Sequence, residues 1–427
     1  MAAVTESQIA IVKATAPVLQ EHGVAITTVF YENLLRENPD LHNIFSSSSQ
    51  ATGRQPRALA GAVLGYATYI DDLPKLAHAV ERIAHKHVSL QVTPAQYDVV
   101  GKYLIQAIGQ VLGAAATPDI VDAWVAAYGA LAAVFINREG EMYKANAADH
   151  WTGWRKFRIA RKEQESSVIT SFYLAPADGG ATPLPKFYPG QYVSLQVRVP
   201  ELGYLQSRQY SLSEGPTPAG EYYRISVKKE EGDAATGVPG LISNLLHARY
   251  AVGDEVELSH PQGEFYVDPA DTSKEGVPAV LISAGVGATP LKAILDSLTT
   301  TTTTGGQAPP VVKRPVSWIH SARSSAMQPF GDAVRQICRE NENVTANVFL
   351  RSVGPEDKAG VHYEFGDMRL DLAKLDAERD LFVGDARAEY FVCGPEPFMV
   401  DVRAALEAMG VERGRIFLEL FATGDVA

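Results

Sequence analysis

The spacing of apolar residues changes twice along the 427 residues of the chain. In the first third, apolar residues recur every three or four positions, as in Leu59, Val63 and Tyr66, which is the spacing of helices. Alternating stretches such as QYVSLQV and YYRISVK then indicate strands separated by Pro/Gly turns. Finally, strands such as AVLISAG precede helical stretches such as TPLKAILDSL, which is typical of a parallel sheet with crossover helices. We therefore predict a multidomain protein with an all-α domain (1–148), an antiparallel β-barrel (152–272) and an α/β domain (276–427).

The composition argues against several classes of partner. The net charge of −12 and the pI near 5.4 disfavour nucleic acids and anionic membranes, since both attract clustered Lys and Arg. No uninterrupted run of 18 apolar residues is found, so no transmembrane helix is expected, and MAAVTESQIA lacks the features of a signal peptide. Two cysteines, Cys338 and Cys393, exclude a disulfide framework and a four-cysteine iron–sulfur cluster. We expect a cytoplasmic protein that binds neither nucleic acid nor membranes, and a monomer.

Two histidines, His85 and His87, stand close together in the stretch AVERIAHKHVSLQV. Residues two positions apart on a helix point to different faces, so the pair is not one chelating site. His87 continues the apolar face of Val80 and Ile83, whereas His85 lies on the polar face with Glu81. A histidine on a buried face needs a partner, which can be a metal or a backbone carbonyl group. His87 is therefore the candidate metal ligand, with a core histidine as the alternative, and we expect His85 to face solvent.

The residues around His87 resemble the globin domain of flavohaemoglobins. The match depends on Lys86-His87 and on the stretches VFYENLL, LHNIFS, GRQPRALAGAV, TPAQYDVVG and FINREGEMY. The resemblance implies that His87 binds haem iron and that Tyr97 and Glu139 flank it. It also implies a distal pocket formed by Tyr31, Gln55 and Leu59, and an aromatic residue, Phe45, that packs on the haem. A carboxylate bonded to the ligating imidazole shifts electron density toward iron, which favours oxygen activation over reversible carriage.

Three stretches of the second segment, RQYSLS, YPGQYVSL and GLISNLLH, resemble motifs of ferredoxin-reductase-like flavoproteins. The resemblance implies that Arg208 meets the flavin diphosphate, for which a guanidinium group is suited because it forms bidentate, charge-assisted hydrogen bonds. It places Tyr210 near the isoalloxazine and ribityl groups and Ser211 near flavin N5. The other implied flavin contacts are Tyr192, Gln209, Gly240 and Ser243, the last two offering backbone N–H groups to the phosphates at a helix start. Without the resemblance, an Arg/Tyr pair on neighbouring strands is a common surface feature.

The stretch LISAGVGATPLKAIL predicts a strand that ends at Ala284, a glycine-rich turn, and a helix that starts near Pro290. Glycines in this turn let the backbone approach a pyrophosphate closely, and Thr289 is expected to cap the helix. The proline replaces the last glycine of a Gly-x-Gly-x-x-Gly motif. The ferredoxin-reductase family has the same departure, which implies a nicotinamide nucleotide rather than FAD. The predicted binding residues are Gly285, Val286, Gly287, Ala288, Thr289 and Pro290.

A second strand–turn–helix unit, FVCGPEPFM, resembles the Cys-Gly-Pro motif of the same family. Cys393, Gly394 and Pro395 are accordingly expected near the nicotinamide. The alternative for Cys393 is a small residue buried in the core. In HSARSSAM, Ser321 and Arg323 are expected to contact the adenosine ribose or its 2′-phosphate, and the sequence leaves NADH and NADPH open.

The C-terminal stretch FLELFATGDVA departs from the family pattern Tyr-Glu-Cys-Phe-Gly-Pro. Glu419 and Phe421 align, whereas Leu420 replaces the cysteine and Ala422-Thr423 replace Gly-Pro. We expect Phe421 to cover the flavin ring, and Lys86 and Glu419 to lie between flavin and haem. The departures leave the flavin contacts of residues 420–423 open.

The resemblance covers essentially the whole chain and implies a nitric oxide dioxygenase. It implies a globin fold, an FAD-binding β-barrel and a Rossmann-like NAD(P)-binding domain, with haem b, FAD and NAD(P)H as cofactors and O₂ and NO as small-molecule partners. In such an enzyme NAD(P)H reduces FAD, FAD reduces haem iron, and the oxygenated ferrous haem converts NO to nitrate. The alternatives are an oxygen store or sensor whose reductase keeps iron ferrous, and a general NAD(P)H-dependent reductase of peroxides or quinones.

Overall fold

The computed structural model describes residues 4–216, 220–232, 237–299 and 313–421. The first third is helical, as the periodicity predicts. Its α-helices are α1 (Glu6–Ala14), α2 (Ala16–Glu37), α3 (Ser47–Ala51), α4 (Arg54–Tyr69), α5 (Ala77–Ser89), α6 (Pro94–Leu112) and α7 (Pro118–Ala148). They enclose a core that includes Ile26, Phe30, Leu34, Leu104 and Trp124.

Local signals in the sequence start several of these helices. Thr5 and Gln8 form a capping box at α1, in which each side chain binds the other residue's backbone N–H group. Thr93 and Gln96 do the same at α6, where the Gln96 side chain accepts from Thr93 N at 2.9 Å. Pro118 occupies the first position of α7, where the missing N–H group has no intrahelical partner to lose.

Helix α7 is long and apolar enough, by length and composition, to cross a membrane, and it alone has this property among the described residues. Its most apolar window has a mean hydropathy of 1.6. The sequence expectation overlooked this helix because it considered only uninterrupted apolar runs. In the structure, Trp124, Ala127 and Phe135 of α7 are buried against the other helices. Part of the apolar character of α7 therefore serves the core of the helical domain, since 28% of its most apolar window is buried.

The second segment is an antiparallel sheet that closes on itself. Its strands are β1 (Arg155–Gln164), β2 (Ile169–Pro176), β3 (Tyr192–Val199), β4 (Tyr204–Ser211), β5 (Tyr223–Lys228) and β6 (Glu255–Leu258), in the order β4-β3-β6-β1-β2-β5. A bridge between Leu212 and Ile225 joins the two edges, which makes the sheet a barrel. Helix α8 (Leu241–Arg249) adds Ile242 and Leu246 to its core.

The third segment is a parallel sheet between helices. Its strands are β7 (Ala279–Ala284), β8 (Val316–Ala322), β9 (Val344–Leu350), β10 (Glu389–Cys393) and β11 (Ile416–Glu419), in the order β11-β10-β7-β8-β9. Its helices are α9 (Ala288–Thr299), α10 (Gly331–Glu340) and α11 (Glu396–Ala408). Sequence reasoning named β7, β8 and β10 but not β9 and β11. Thr345 and Asn347 interrupt the apolar pattern of β9, and β11 has only four residues.

Strand β4 also connects the barrel to the helical domain. The amide of Gln206 donates to the carbonyl oxygen of His42 at 2.6 Å, and its oxygen accepts from Ser47 N at 2.9 Å. Next to it, Leu205 N donates to the side-chain oxygen of Asn43 at 2.8 Å. The segment that precedes α3 is therefore held by the strand that ends in the RQYS motif.

A buried histidine lies in the parallel sheet. His320 on β8 is fully buried and its Nδ1 lies 2.8 Å from the hydroxyl of Ser283, its register partner on β7. Among the described residues, its Nε2 is buried without a hydrogen-bond partner. Burial lowers the pKa of His320 to about 4, because a charged imidazole would lose its hydration. The folded protein therefore holds this imidazole neutral.

We predict that His320 makes the protein sensitive to acid. Because its folded pKa lies below the unfolded value, its contribution to stability is present above pH ~6.5 and is lost as the pH falls toward 4, by up to roughly 3 kcal/mol. A His320→Gln variant keeps a polar group but cannot titrate. Denaturant unfolding followed by tryptophan fluorescence should show the wild type losing stability relative to this variant between pH 6.5 and 4. Parallel pH profiles would contradict the prediction.

Candidate functional site

The end of α5 meets α6 and α7 in a three-residue cluster in which Tyr97 and Glu139 are buried and the His87 side chain is 31% exposed. Nδ1 of His87 lies 2.8 Å from Oε1 of Glu139 and 2.8 Å from the hydroxyl oxygen of Tyr97. The Tyr97 hydroxyl donates to the same Glu139 oxygen at 2.6 Å. Glu139 is only 3% exposed, so its carboxylate depends on these donors for the hydrogen bonds that water would supply. The carboxylate accepts from the imidazole, which places the ring hydrogen on Nδ1.

The surroundings of Tyr97 keep its phenol protonated. Burial raises the pKa of Tyr97, and its hydrogen bond to Glu139 raises it further, so the phenol remains a donor. The Phe135 ring packs against both the imidazole and the phenol, with centroids 5.7 and 6.3 Å away. His87 is thereby held in one orientation, with its Nε2 available as a ligand atom.

The single imidazole of His87 fits an iron ion whose other ligands come from a porphyrin. In the described ranges, Nε2 of His87 has no hydrogen-bond partner, and no group of three or more His, Cys, Asp or Glu residues could hold a metal ion. A lone imidazole completes the coordination of a haem iron, whereas a bare ion needs several protein ligands. The cluster therefore fits the haem site that the sequence predicts.

His85 lies against the barrel, and the expectation that it faces solvent was wrong. Its Nδ1 is 2.8 Å from Oε1 of Gln262 and accepts a hydrogen bond from Gly263 N at 3.2 Å. Its side chain is 16% exposed, and burial lowers its pKa. Helical spacing separates the two histidines correctly, but it cannot reveal that the polar face of α5 contacts another domain.

The predicted distal residues come together on α2, α4 and the segment before α3. The buried hydroxyl of Tyr31 is hydrogen-bonded to Gln55, and burial raises the pKa of Tyr31, so the phenol stays protonated. The Phe45 ring packs edge-on against Tyr31, with centroids 5.3 Å apart, and Leu59 packs on the same core. Phe45 and Leu59 form an apolar wall beside the hydrogen-bonded pair of Tyr31 and Gln55.

The flavin motif lies where the barrel meets the helical domain. Arg208 donates to the carbonyl oxygen of Ser207 at 2.6 Å and to the hydroxyl of Ser48 at 3.1 Å. Tyr192 and Tyr210 lie on the neighbouring strands β3 and β4, and burial raises the pKa of both phenols. The side-chain amide of Gln209, between Arg208 and Tyr210, donates to the hydroxyl of Ser194 at 3.0 Å.

Two predicted flavin contacts are buried serines with unused hydroxyl groups. The Oγ atoms of Ser211 and Ser243 have no hydrogen-bond partner in the part of the chain that the structure describes. A buried hydroxyl without a partner is unfavourable, so both atoms fit a site whose ligand supplies acceptors. This arrangement fits the FAD that the motifs imply.

Gly240 has a different role from the predicted one. Its N–H group donates to the carbonyl oxygen of Glu230 at 3.0 Å, so the prediction that it offers this group to a phosphate was wrong. A Cβ atom at this position would lie 2.4 Å from Oγ of Ser243. Gly240 is therefore needed because Ser243 and the chain near Glu230 approach it closely.

The glycine-rich turn after β7 leads directly into α9. Gly285 has a φ of +57°, which favours glycine, and a Cβ at Gly287 would lie 2.2 Å from the carbonyl oxygen of Cys393. Helix α9 begins at Ala288, before the predicted start at Pro290. Thr289 is buried and donates to the carbonyl oxygen of Val286 at 2.9 Å, so the prediction that it caps the helix was wrong.

The second turn of the parallel sheet lies beside the first. Cys393 is the last residue of β10 and pairs in register with Ser283, and Gly394-Pro395 lead into α11. Cys393 is fully buried, and burial raises the pKa of its thiol well above the usual value. Its surroundings are those of a packed core residue, and its position at the carboxyl edge of the sheet is the predicted one. At the same edge, Ser321 is buried near the end of β8 and Arg323 is exposed.

Lys86 and Glu419 are ionisable groups with opposite pKa shifts. Burial lowers the pKa of Lys86 to about 8, and the charges of Arg208 and Arg82 add to this shift. Burial raises the pKa of Glu419 to about 8, with Glu264 adding to the shift and Arg82 opposing it. The charge of Arg82 contributes to the pKa shifts of both groups, so the first and third domains meet near α5.

The C-terminal residues of the family pattern follow Glu419. Phe421 is 48% exposed, Leu420 packs on the α11 side of the sheet, and Ala422 and Thr423 lie outside the described residues.

The comparisons with known proteins agree with this arrangement. The Globin family model matches residues 28–135. The flavohemoprotein of Bordetella pertussis is 46% identical over 98% of both chains, and that of Bacillus subtilis is 39% identical over 97% of this chain and 96% of its own. The chain belongs to the flavohemoprotein family. Its predicted family, fold class and cofactor set of haem, FAD and NAD(P)H are thereby confirmed.

Solved structures of flavohemoproteins extend the agreement to three dimensions. The flavohemoglobin of Malassezia yamatoensis, solved with bound FAD and heme, is 31% identical and covers 99% of this chain with a TM-score of 0.81. The flavohem-like FAD/NAD-binding domain of nitric oxide dioxygenase from Vibrio cholerae is 33% identical and covers 62% of this chain, with a TM-score of 0.50. The flavohemoprotein fold therefore holds over both the helical domain and the reductase domains.

We predict that Ser243 contributes to FAD binding in this flavohemoprotein. A Ser243→Ala variant should weaken FAD binding roughly tenfold, because one hydrogen bond to a charged phosphate is lost. The dissociation constant can be measured by titrating the FAD-free protein and following flavin fluorescence. Ser317→Ala is a matched control, since the Ser317 hydroxyl is also buried without a partner among the residues that the structure describes, but lies in the parallel sheet. Equal effects of the two substitutions would contradict a direct contact.

Proposed function

We propose that this flavohemoprotein is an NAD(P)H-dependent nitric oxide dioxygenase with O₂ and NO as substrates. The observation that carries the proposal is the buried Glu139 carboxylate, which binds both His87 and Tyr97. A protein that only stores or senses oxygen gains nothing from an electron-rich iron, so this cluster favours oxygen activation. Expectations of a cytoplasmic monomer without nucleic-acid or membrane partners stay predictions.

The residues of the proximal side hold and tune the cofactor. Haem, when bound, supplies the oxygen-binding and one-electron chemistry, and FAD and NAD(P)H supply the electrons. Nε2 of His87 would bind the haem iron. Glu139 keeps the hydrogen on Nδ1 and gives the imidazole partial imidazolate character, while Tyr97 shares the carboxylate and limits how far the proton moves toward it.

The residues of the distal side orient the substrates. The Tyr31 phenol stays protonated and is paired with Gln55, so it can donate a hydrogen bond to a small polar ligand. Phe45 and Leu59 exclude water from this wall, which strengthens such a hydrogen bond. The reductase domains attach the source of electrons that repeated turnover requires. A store or sensor with a reductase would share this feature, so the distinction depends on the Glu139 cluster.

The proposal is tested by incubating the purified protein with NADH or NADPH, O₂ and NO and measuring nitrate. We expect nitrate formation that requires haem, and the faster nucleotide identifies the physiological reductant. Oxygen binding without nitrate formation would favour the store or sensor. Consumption of peroxides or quinones at the same rate after haem removal would favour the general reductase.

A Glu139→Ala variant should slow turnover by ~10–100-fold, the usual effect of losing a group bonded to a metal-ligating histidine. Oxygen binding should weaken less, because the axial ligand itself remains. The two quantities are compared by stopped-flow turnover and by oxygen dissociation kinetics. Glu141→Ala, on the same helix but solvent-exposed and paired with Arg138, is the control. Equal losses of turnover and oxygen affinity would contradict the tuning role.

A further inference from the structure

A directed chain of hydrogen bonds joins the flavin motif to the end of α5. The side-chain amide of Gln209 donates to Oγ of Ser194 at 3.0 Å. The Ser194 hydroxyl donates to Oγ of Ser89 at 2.8 Å, across the contact between the barrel and the helical domain. The Ser89 hydroxyl then donates to the backbone carbonyl oxygen of Lys86 at 2.8 Å. Each hydroxyl in this chain accepts one hydrogen bond and donates the next.

The two serines are fully enclosed. Ser89 and Ser194 are both 0% exposed, so no water can replace either partner. The phenol of Tyr192 is also hydrogen-bonded to Ser89. Removal of one hydroxyl would therefore leave a buried donor or acceptor unsatisfied on the other domain. The contact is specific for one register of α5 on the barrel.

The residues of this hydrogen-bond chain lie between the predicted iron ligand and the predicted flavin contacts. Ser89 is the last residue of α5, two residues after His87. Ser194 and Gln209 face each other in the β3–β4 register, next to Tyr192 and Tyr210. Contacts between domains are usually mobile unless they are well packed. A buried polar contact at this point restricts the sliding of α5 over the flavin strands.

We propose that Ser89 and Ser194 are positioning residues that hold the proximal helix at the distance and orientation needed for electron transfer from flavin to haem. Neither serine is itself a predicted ligand of iron or flavin, although Ser194 accepts a hydrogen bond from Gln209, which is one of the predicted flavin contacts. They act through the backbone of α5: Ser194 donates to Ser89, and Ser89 donates to the carbonyl oxygen of Lys86, next to the iron ligand. This inference depends on the proposed function, in which the flavin reduces the haem.

The test separates two steps of the holoprotein by anaerobic stopped-flow spectroscopy. Reduction of flavin by NAD(P)H and reduction of haem by flavin are followed in the wild type, Ser89→Ala, Ser194→Ala and the double variant. We expect haem reduction to slow roughly tenfold in each single variant, as misplacement of reacting groups does, with flavin reduction unchanged. The double variant should be no slower than either single one, because both serines form one contact. Ser194→Thr, which keeps the hydroxyl, should restore most of the rate.

Ser171→Ala is the matched control. Ser171 is equally buried in the barrel and bonds to Ser226 at 2.6 Å, but it lies on β2, away from α5. Hydrogen exchange of the segment 84–90, a measurement independent of catalysis, should accelerate in Ser89→Ala and Ser194→Ala and not in Ser171→Ala. Unchanged haem reduction, equal slowing in Ser171→Ala, or additive losses in the double variant would overturn the positioning role. A wild type whose flavin never reduces its haem would overturn the proposed function itself.

Discussion

The position of His87 depends on a buried hydrogen bond from its Nδ1 to Glu139. A carboxylate enclosed between α5, α6 and α7 would be strongly destabilising without donors, and His87 and Tyr97 are the two side chains that supply them. The same bond decides which nitrogen of the imidazole carries the hydrogen and which one is free for iron. Packing of Phe135 against both rings then leaves the cluster a single arrangement. Stability and chemistry in the helical domain therefore rest on the same three side chains.

Helix α5 is part of the helical domain and also contacts the barrel. Within the helical domain, His87 is bonded to α6 and α7. Toward the barrel, His85 contacts Gln262 and Gly263, and Ser89 contacts Ser194. Strand β4 has the complementary double role, since Gln206 holds the segment before α3 and Gln209 begins the hydrogen-bond chain to α5. The reductase domains thus contact the helical domain through elements that carry its site residues.

Much of the fold followed from periodicity, and the failures have specific causes. The strands β7, β8 and β10 are continuous apolar runs, so the sequence predicts them, whereas polar residues in β9 and the shortness of β11 conceal those two strands. Thr289 was misjudged because helix starts are uncertain by a residue or two, and a shift of two residues turns a cap into an interior residue. Gly240 does stand at the start of α8, but its N–H group is bound by the carbonyl oxygen of Glu230, a contact that the helix start does not reveal. His85 was misjudged because a polar face has the same appearance whether it meets water or another domain. Ser89, Ser194 and Gln206 carry no motif, so sequence reasoning had no signal for them.

The sequence by itself determined the three-part architecture, the choice of His87 over His85, and the motifs for flavin and nicotinamide nucleotide. These depend on local spacing: helical periodicity places His87 on the apolar face, and Gly285 adopts the positive φ that one short turn requires. The tertiary structure decided which donors satisfy Glu139, which carbonyl group satisfies Gly240, and how the domains are joined. Those partners lie far apart in the chain, as Ser89 and Ser194 do, and buried polar groups must find partners wherever the fold brings them together. No local pattern specifies such a pairing, because it depends on the packing of all three domains.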